Sequence, residues 1–522
     1  MSLIRAFFTV SGFTLISRIT GFIRDIVMAS AVGTGPLADA FIIAFRLPNF
    51  FRRLFAEGAF SAAFVPMFTH RLHGEGKEAA LTFAEHIYAA LLMVLTLFTV
   101  FMIATMPWTM YIIAPGFTGD KEHFAMTVLL TRIAFPYLIF ISLVTLYAGI
   151  LNSLGKFAAQ AASPIVLNLC LIASLLILAK FTETPAHAMI YGVILAGILQ
   201  LLWMIHACRK IGIKLRLRKP QLTPDVRAFL RRMGPGLVGT GVVQINLFVD
   251  TIIATFIPGA LALLYYADRI NQLPLALVGT AMGTALLPML SRQLKAGETA
   301  QAMESQNRAL ELVLFLTIPA TAALLIAGHP IILALFERGK FTVADATATA
   351  YGLTAYAVGL PAFVIIKILT TTFYADGDTR TPVQIAIKAM IANVVFNGIF
   401  IALFIRIGWM LHIGIALATS MACWYNVGLL SRGLRAKARY TPDARLKERV
   451  VRIIFSALVM GLLLRGAEWT LDSWLHGSGG EVMRALALCA LVGIGAAGYF
   501  LTAHFVKAFD MQEIKTFLKR KK

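Results

Sequence analysis

Long apolar runs, broken at intervals by short basic or glycine-containing connectors, fill the chain from end to end. A helix needs about 20 apolar residues to cross the ~30 Å hydrocarbon core of a bilayer. Fourteen segments have that character, beginning near Phe7, Asp39, Ala80, Phe124, Phe157, Ala186, Phe229, Ala260, Ala309, Ala346, Pro382, Leu411, Val450 and Val482. They are much longer than the ~10-residue alternating strands of a membrane barrel. The pattern therefore predicts an all-α polytopic membrane protein with about 14 transmembrane helices. Composition agrees, with 59% of the 522 residues apolar and 14% charged, against about 25% charged in soluble proteins. The N-terminal run precedes Ala29-Ser30-Ala31, which resembles a cleavage site, but Arg18, Arg24 and Asp25 lie between the two. The segment reads as a retained first helix.

The pattern also repeats. Arg46 precedes Pro66 by 20 residues in helix 2, and Arg269 precedes Pro288 by 19 in helix 8. Phe135-Pro136 precedes Leu151-Asn152-Ser153-Leu154-Gly155 much as Leu360-Pro361 precedes Tyr374-Ala375-Asp376-Gly377-Asp378. Two related six-helix lobes follow, with two C-terminal helices outside the repeat. The divisions are an N-lobe over 1–208, a basic linker over 209–223, a C-lobe over 224–436, and helices 13 and 14 with a basic tail over 437–522. Each lobe has an even number of helices, so both share one orientation, a transporter architecture with the substrate site between halves.

The net charge of +21 changes the picture through its placement. Arg209, Lys210, Lys214, Arg216, Arg218, Lys219, Arg227, Arg231 and Arg232 crowd one connector. Arg432, Arg435, Lys437, Arg439, Arg445, Lys447, Arg449 and Arg452 crowd another. These connectors and both termini fall on one side of a fourteen-helix chain, which the positive-inside rule makes cytoplasmic. The charge reads as a topology signal with affinity for membrane lipid, not as a nucleic-acid surface. Cys170, Cys208, Cys423 and Cys489 lie far apart in or beside apolar segments and read as small core residues.

Charge inside the membrane is the chemical signal. An arginine near a helix centre costs roughly 2.5–3.5 kcal/mol on insertion scales, so several together require a wet or paired setting. Helix 2 carries Asp39, Arg46, Asn49, Arg53 and Glu57 within one stripe, flanked by Arg52, with Arg53 and Glu57 spaced as an i,i+4 pair. Helix 1 places Thr14, Arg18, Gly21 and Asp25 on one face, with Ser17 and Arg24 beside it. Helix 8 offers Tyr265, Asp268, Arg269 and Gln272. A positive stripe in both halves favours a hydrated cavity for an anion over isolated packing salt bridges, and arginine suits bidentate phosphate contacts. Asp250, Asn393, Asn397 and Thr419 form a softer oxygen set, a candidate sodium site that competes with simple interhelical hydrogen bonding.

Two motifs point elsewhere. Gly234-Pro235-Gly236-Leu237-Val238-Gly239 matches G-x-G-x-x-G without the strand that dinucleotide binding needs. Asp376-Gly377-Asp378 could be the metal-binding D-x-D of a membrane glycosyltransferase, yet its repeat counterpart has no carboxylate, and Gly377 favours a turn. No G-x-x-x-x-G-K-[ST] occurs, which argues against an ATP-driven pump within this chain.

The run from Ser17-Arg18 to Arg24-Asp25 resembles the start of the MurJ (MviN) family. So do Asp39-Ala40-Phe41, the run from Leu47-Pro48-Asn49 to Glu57-Gly58-Ala59-Phe60, and Tyr265-Tyr266-Ala267-Asp268-Arg269. Ala114-Pro115-Gly116-Phe117 and Gly339-Lys340-Phe341 match as well. The resemblance implies the multidrug/oligosaccharidyl-lipid/polysaccharide exporter fold in the bacterial inner membrane. It implies a flippase, not an enzyme, that moves lipid II, the undecaprenyl-pyrophosphate-linked peptidoglycan precursor, to the outer leaflet by alternating access. The family's pyrophosphate-binding arginines match Arg18, Arg24, Arg52 and Arg269. Asp39, Asn49, Arg53 and Glu57 match other positions of importance, and Asp25 lies in the matched run. Helices 13 and 14 are associated with a groove for the lipid tail. Some members bind sodium between helices 7, 11 and 12; here Asn397 stands where those members carry a carboxylate. The expected chain has no cofactor, is driven by sodium or by the membrane potential, and works as a monomer alongside the cell-wall synthesis machinery. The alternatives are an exporter of another lipid-linked oligosaccharide or a drug, a membrane glycosyltransferase, and a scaffold. A drug exporter would be expected to line its cavity with carboxylates, and a scaffold gives no reason for buried arginines.

Overall fold

The structure, a computed structural model, describes residues 3–54, 58–475 and 480–509, with side chains for all of these except 3–8, 58–59, 235–247 and 276–285. Its contacts divide the chain into two units, Met1–Ala262 with Arg338–Phe341, and Leu263–Glu337 with Thr342–Lys522. The first contains α1 (Leu3–Val32), α2 (Pro36–Arg52), α3 (Gly58–Gly74), α4 (Lys77–Ala104), α5 (Met106–Ile113), α6 (Lys121–Ala134), α7 (Tyr137–Ser153), α8 (Ala158–Leu176), α9 (Pro185–Arg209) and α10 (Pro224–Thr255). The second contains α12 (Thr299–Phe336), α13 (Val343–Ala375), α14 (Arg380–Ile407), α15 (Leu411–Ala436), α16 (Ala444–Leu475) and α17 (Gly480–Phe505). The long α11 (Ala260–Lys295) starts in the first unit and continues in the second.

Among the described residues, ten helical rods are long and apolar enough to cross a membrane, with α6 and α7 acting as one. With α1, α2 continued by α3, α10 and α11, they make up the fourteen expected from the apolar pattern. Several rods are jointed where the pattern suggested unbroken helices. Helix 4 turns at Phe135-Pro136 between α6 and α7, since proline lacks the N–H that would continue the ladder. In helix 2 the regular winding of α2 gives way to a π-type turn at Arg53 and Leu54, and α3 is described from Gly58.

The duplication is visible in its turns. The α7–α8 turn has Gly155 at φ +70°, with Gly155 N–H bonded to Asn152 O at 3.0 Å and Lys156 N–H to Leu151 O at 2.8 Å. The α13–α14 turn has Gly377 at φ +79°, with matching bonds of 3.1 Å to Tyr374 O and 2.9 Å from Asp378 to Phe373 O. Glycine is required at both because an L side chain is strained in the left-handed region. The proline counterparts differ, for Pro361 lies within a continuous α13.

In the first unit, α1 packs on α8, α8 on α9, α2 on α6, and α3 on α4, α7 and α10. Phe64 lies at the centre of an aromatic stack, 5.3 Å from Phe60, 5.6 Å from Phe68 and 5.7 Å from Phe83. In the second, α12 packs on α13 and α16, α13 on α15, and α14 on α15. α16 and α17 dock through Phe315, Ile453, Leu491 and Tyr499, whose hydroxyl donates to Phe315 O at 2.7 Å. None of the four cysteines is in a disulfide.

The basic linker after α9 is anchored. The buried Glu85 of α4 accepts Arg216 N–H at 2.9 Å and Arg218 Nε at 2.6 Å. Glu85→Gln removes the charge from both bonds, each on the scale of about 1.5–3 kcal/mol for a charged partner. Limited trypsin digestion of the solubilised protein should then cut the linker about tenfold faster. Equal rates in the two proteins would show that Glu85 does not anchor it.

A buried arginine and a glycine-tight backbone junction form the candidate site

α1 carries the densest polar cluster. Arg24 and Asp25 are both buried, and Arg24 donates through Nη2 to Asp25 Oδ1 at 2.7 Å and through Nε to the same oxygen at 3.1 Å. Its Nη1 donates to Asn168 Oδ1 of α8 at 3.0 Å. The Asn168 amide in turn donates to Ser17 O at 3.0 Å and Thr20 Oγ1 at 3.2 Å. Gly21 permits this approach, since a Cβ there would lie 3.3 Å from Asn168 Nδ2. One turn away, Arg18 is exposed and has no polar partner among the described residues. The helix thus offers one fixed and one accessible guanidinium. The sequence pattern did not single out Asn168, although a lone asparagine in an apolar helix is a usable signal.

The helix 2 stripe separates into distinct roles. Arg46 donates to Thr251 Oγ1 of α10 at 2.7 Å. The Asn49 amide donates to Phe45 O at 2.8 Å and its oxygen accepts Arg52 Nε at 3.0 Å. Arg52 is half-buried and Arg53 is exposed. Glu57, and with it the expected pair to Arg53, lies outside the described residues.

Asp39 has a different environment. It is buried, and its two carboxylate oxygens accept Gly259 N–H at 3.1 Å and Ala262 N–H at 2.9 Å, at the start of α11. The first turns of helices leave N–H groups unbonded and partly positive, so a carboxylate is the natural cap. Around it the backbone is packed tightly. A Cβ on Gly116 would lie 2.3 Å from the Thr255 carbonyl, and one on Gly339 (φ +58°) would lie 2.4 Å from Ser30 O. Gly116 N–H donates to Thr255 Oγ1 at 3.1 Å, and Lys340 N–H donates to Ser30 O at 2.8 Å. The motifs around Gly116 and Gly339 are therefore places where only a glycine lets two backbones meet.

In the second unit, the Arg269 guanidinium lies 4.7 Å from the centre of the Tyr265 ring and donates to its hydroxyl at 3.0 Å. Gln272 donates to Asp268. Asn393 and Asn397 are buried, and the Asn397 amide donates to Asn393 O and Oδ1, both at 3.0 Å. The Thr419 hydroxyl donates to its own helix at Ile415 O, and Asp250 is half-buried in the first unit. Among the described residues no three His, Cys, Asp or Glu side chains converge as metal ligands. Asp376 accepts Arg439 Nε at 3.0 Å. Asp378 pairs with Lys437 and accepts Arg380 and Thr381 N–H at 3.1 and 2.9 Å. Lys437, then Thr381, hold the Asp378 carboxyl well below the usual carboxylate range. Both acids thus fix the α13–α14 turn.

Asn168→Ala should free Arg24 and lower transport sharply, with Asn168→Asp partly restoring it by keeping an acceptor. The check is growth of cells that depend on the variant. Equal growth of the alanine variant and the unaltered protein would remove this positioning role.

A chain of fourteen spanning helical rods with an arginine buried on the first of them has the architecture of a multidrug-exporter-type membrane transporter. A solved MATE family multidrug transporter of the MOP superfamily aligns with a TM-score of 0.66 at 16% identity, covering 81% of this chain and 96% of that one. The family model described as "Lipid II flippase MurJ" matches residues 28–482, and the chain belongs to that family. It is 42% identical to the probable lipid II flippase MurJ of Rhizobium meliloti (strain 1021) over 100% of this chain and 97% of that protein. It is 35% identical to the lipid II flippase MurJ of Burkholderia cenocepacia, over 96% of each. A solved lipid II flippase MurJ in an inward closed conformation aligns with a TM-score of 0.78 at 26% identity, covering 95% of this chain and 98% of that one.

Proposed function

We propose that the chain flips lipid II from the inner to the outer leaflet of the bacterial cytoplasmic membrane by alternating access, making and breaking no bond. The observation that carries this reading is full-length kinship, at 42% identity in one case, with proteins named as lipid II flippases or probable lipid II flippases. The chemistry fits, since a pyrophosphate and its sugars cannot cross hydrocarbon unaided while a prenyl tail need not leave it. Arg18, Arg24, Arg52 and Arg269 would bind the pyrophosphate, with Asp39, Asn49, Arg53 and Glu57 supporting the cavity. Asp25, already bonded to Arg24, would serve as its counter-ion when no substrate is present. The termini would be cytoplasmic, and the protein would act as a monomer beside the cell-wall synthesis machinery. A positive cavity returning empty would couple to an inside-negative potential, worth about 2.3 kcal/mol per charge per 100 mV.

The test is the sidedness of lipid II after the protein is depleted from its host, read with an outside-acting enzyme that cleaves only externally exposed precursor. Cleavage should disappear while precursor accumulates inside. Arg24→Gln and Arg269→Gln, supplied in place of the unaltered protein, should leave cleavage lost. Unchanged cleavage after depletion, with redundancy excluded, would move the assignment to another lipid-linked glycan. Failure to make any precursor would favour an enzyme instead.

A further inference from the structure

On the side of the basic connectors the first unit contains a cavity of about 270 Å³. Its walls include Phe68, Leu81, Leu154 and Ile213, and its polar groups are Lys77 and Lys156. Lys77 is the first residue of α4, and Lys156 lies in the α7–α8 turn. Ile213 follows the end of α9, and Phe68 is near the end of α3. Four rods therefore end around this cavity, which sets it at the boundary between hydrocarbon and water. The neighbouring aromatics mark the same level. Phe157 is exposed, and Trp203 is exposed with its indole N–H bonded to Ala159 O at 3.1 Å, as aromatic residues at a membrane interface are.

The two lysines differ in how they are held. Lys77 Nζ donates to Gly212 O at 3.3 Å on an exposed side chain, which leaves donors for a ligand. The Lys156 side chain is exposed and has no polar partner among the described residues. A cavity lined by apolar side chains and two exposed lysines gives water few partners, and it matches a molecule with a hydrocarbon end and an anionic end.

We propose that this cavity binds an anionic phospholipid of the surrounding membrane, its acyl chain against Phe68, Leu81, Leu154 and Ile213 and its phosphate on Lys77 and Lys156. None of the arginines assigned to the transported head group lines it. Its anionic preference follows from the attraction of lysines near the surface to acidic lipid headgroups.

The experiment is native mass spectrometry of the full chain released from micelles containing equal phosphatidylglycerol and phosphatidylcholine. The unaltered protein should retain phosphatidylglycerol preferentially. Lys77→Gln with Lys156→Gln should lower that retention by about tenfold or more, given the contribution of each lysine near an anionic surface. Leu81→Trp, which fills the cavity, should lower it with both lysines in place. Because Lys77 also holds Gly212, Lys156→Gln alone carries the test if the double variant does not fold. Equal retention of the two lipids, or retention unaltered in Lys156→Gln and Leu81→Trp, would overturn the proposal. Displacement of the lipid by inorganic phosphate would also overturn it, by assigning the lysines to a soluble anion. Lipid II sidedness in cells is read separately, so failure here leaves the flippase reading standing.

Discussion

Replacing Asp39 by alanine is expected to abolish growth support by the protein and to lower its melting temperature in detergent. The carboxylate is 1% exposed and accepts two backbone N–H groups, Gly259 at 3.1 Å and Ala262 at 2.9 Å. Without it, the buried Ala262 N–H and the half-buried Gly259 N–H have no acceptor from that side chain. A hydrogen bond to a charged group contributes about 1.5–3 kcal/mol, and leaving its partner buried and unpaired costs a similar amount. Asp39→Asn keeps one oxygen acceptor and should fall between alanine and the unaltered protein. The graded order, aspartate above asparagine above alanine, separates a capping role from a role in contacting substrate. A melting temperature unchanged in Asp39→Ala would show that the start of α11 does not depend on this cap.

The second large effect is expected at glycines where two backbones meet. In Gly339→Ala the new Cβ would lie 2.4 Å from Ser30 O and 2.5 Å from its Oγ, at a backbone angle of φ +58°. The left-handed conformation costs an L residue roughly 1–2 kcal/mol, and overpacking adds about 1–3 kcal/mol. Gly116→Ala meets the Thr255 carbonyl at 2.3 Å, where the obstacle is backbone and cannot rotate away. Both variants should lose thermal stability and growth support. Two other glycines serve as controls. Gly119→Ala meets nothing within 4 Å and should behave as the unaltered protein, while Gly408→Ala (φ +68°) has open space and should show only the conformational cost. If Gly116→Ala and Gly119→Ala melt together, the close approach to Thr255 is not a constraint on the fold.

These two predictions concern one place. Asp39, Gly116, Gly259 and Gly339 all belong to the first unit, Asp39 in the first turn of α2 and the three glycines in connectors that follow odd-numbered rods. On the basic side, the connectors are held by long side chains. Glu311 forms ion pairs with Arg445 at 3.5 Å and Arg449 at 3.4 Å, and Arg308 pairs with both Glu311 and Asp443. The two faces are therefore built differently. One uses backbone contact through glycines and a carboxylate cap, while the other uses ion pairs among flexible arginines. Backbone contacts of the first kind tolerate almost no added volume. Substitution should accordingly be less damaging among the basic connectors than at Gly116 or Gly339.

The sequence alone determined what depends on each residue and its near neighbours. Fourteen apolar rods, their internal duplication and the clustering of base in alternate connectors were all legible, because a bilayer imposes its length and polarity on every segment locally. Arg24 and Asp25 were legible as chemistry for the same reason, since a charge in an apolar helix needs an explanation wherever it ends up. Only the tertiary structure decided which partner each polar group takes. Periodicity placed Asp39 in one stripe with Arg46 and Asn49, but a stripe says which way a side chain points and not what it meets. Asp39 met the free N–H groups of α11, 220 positions along the chain at Gly259, and Arg46 met Thr251. Asn168 could be assigned to Arg24 only once α8 was seen to pack on α1. The packing of α10 against α3, which brings it into the first unit although its sequence opens the second half of the repeat, was decided in the same way. Such choices are contacts between residues far apart in the chain, and the membrane, which acts alike on every segment, leaves no local mark of them.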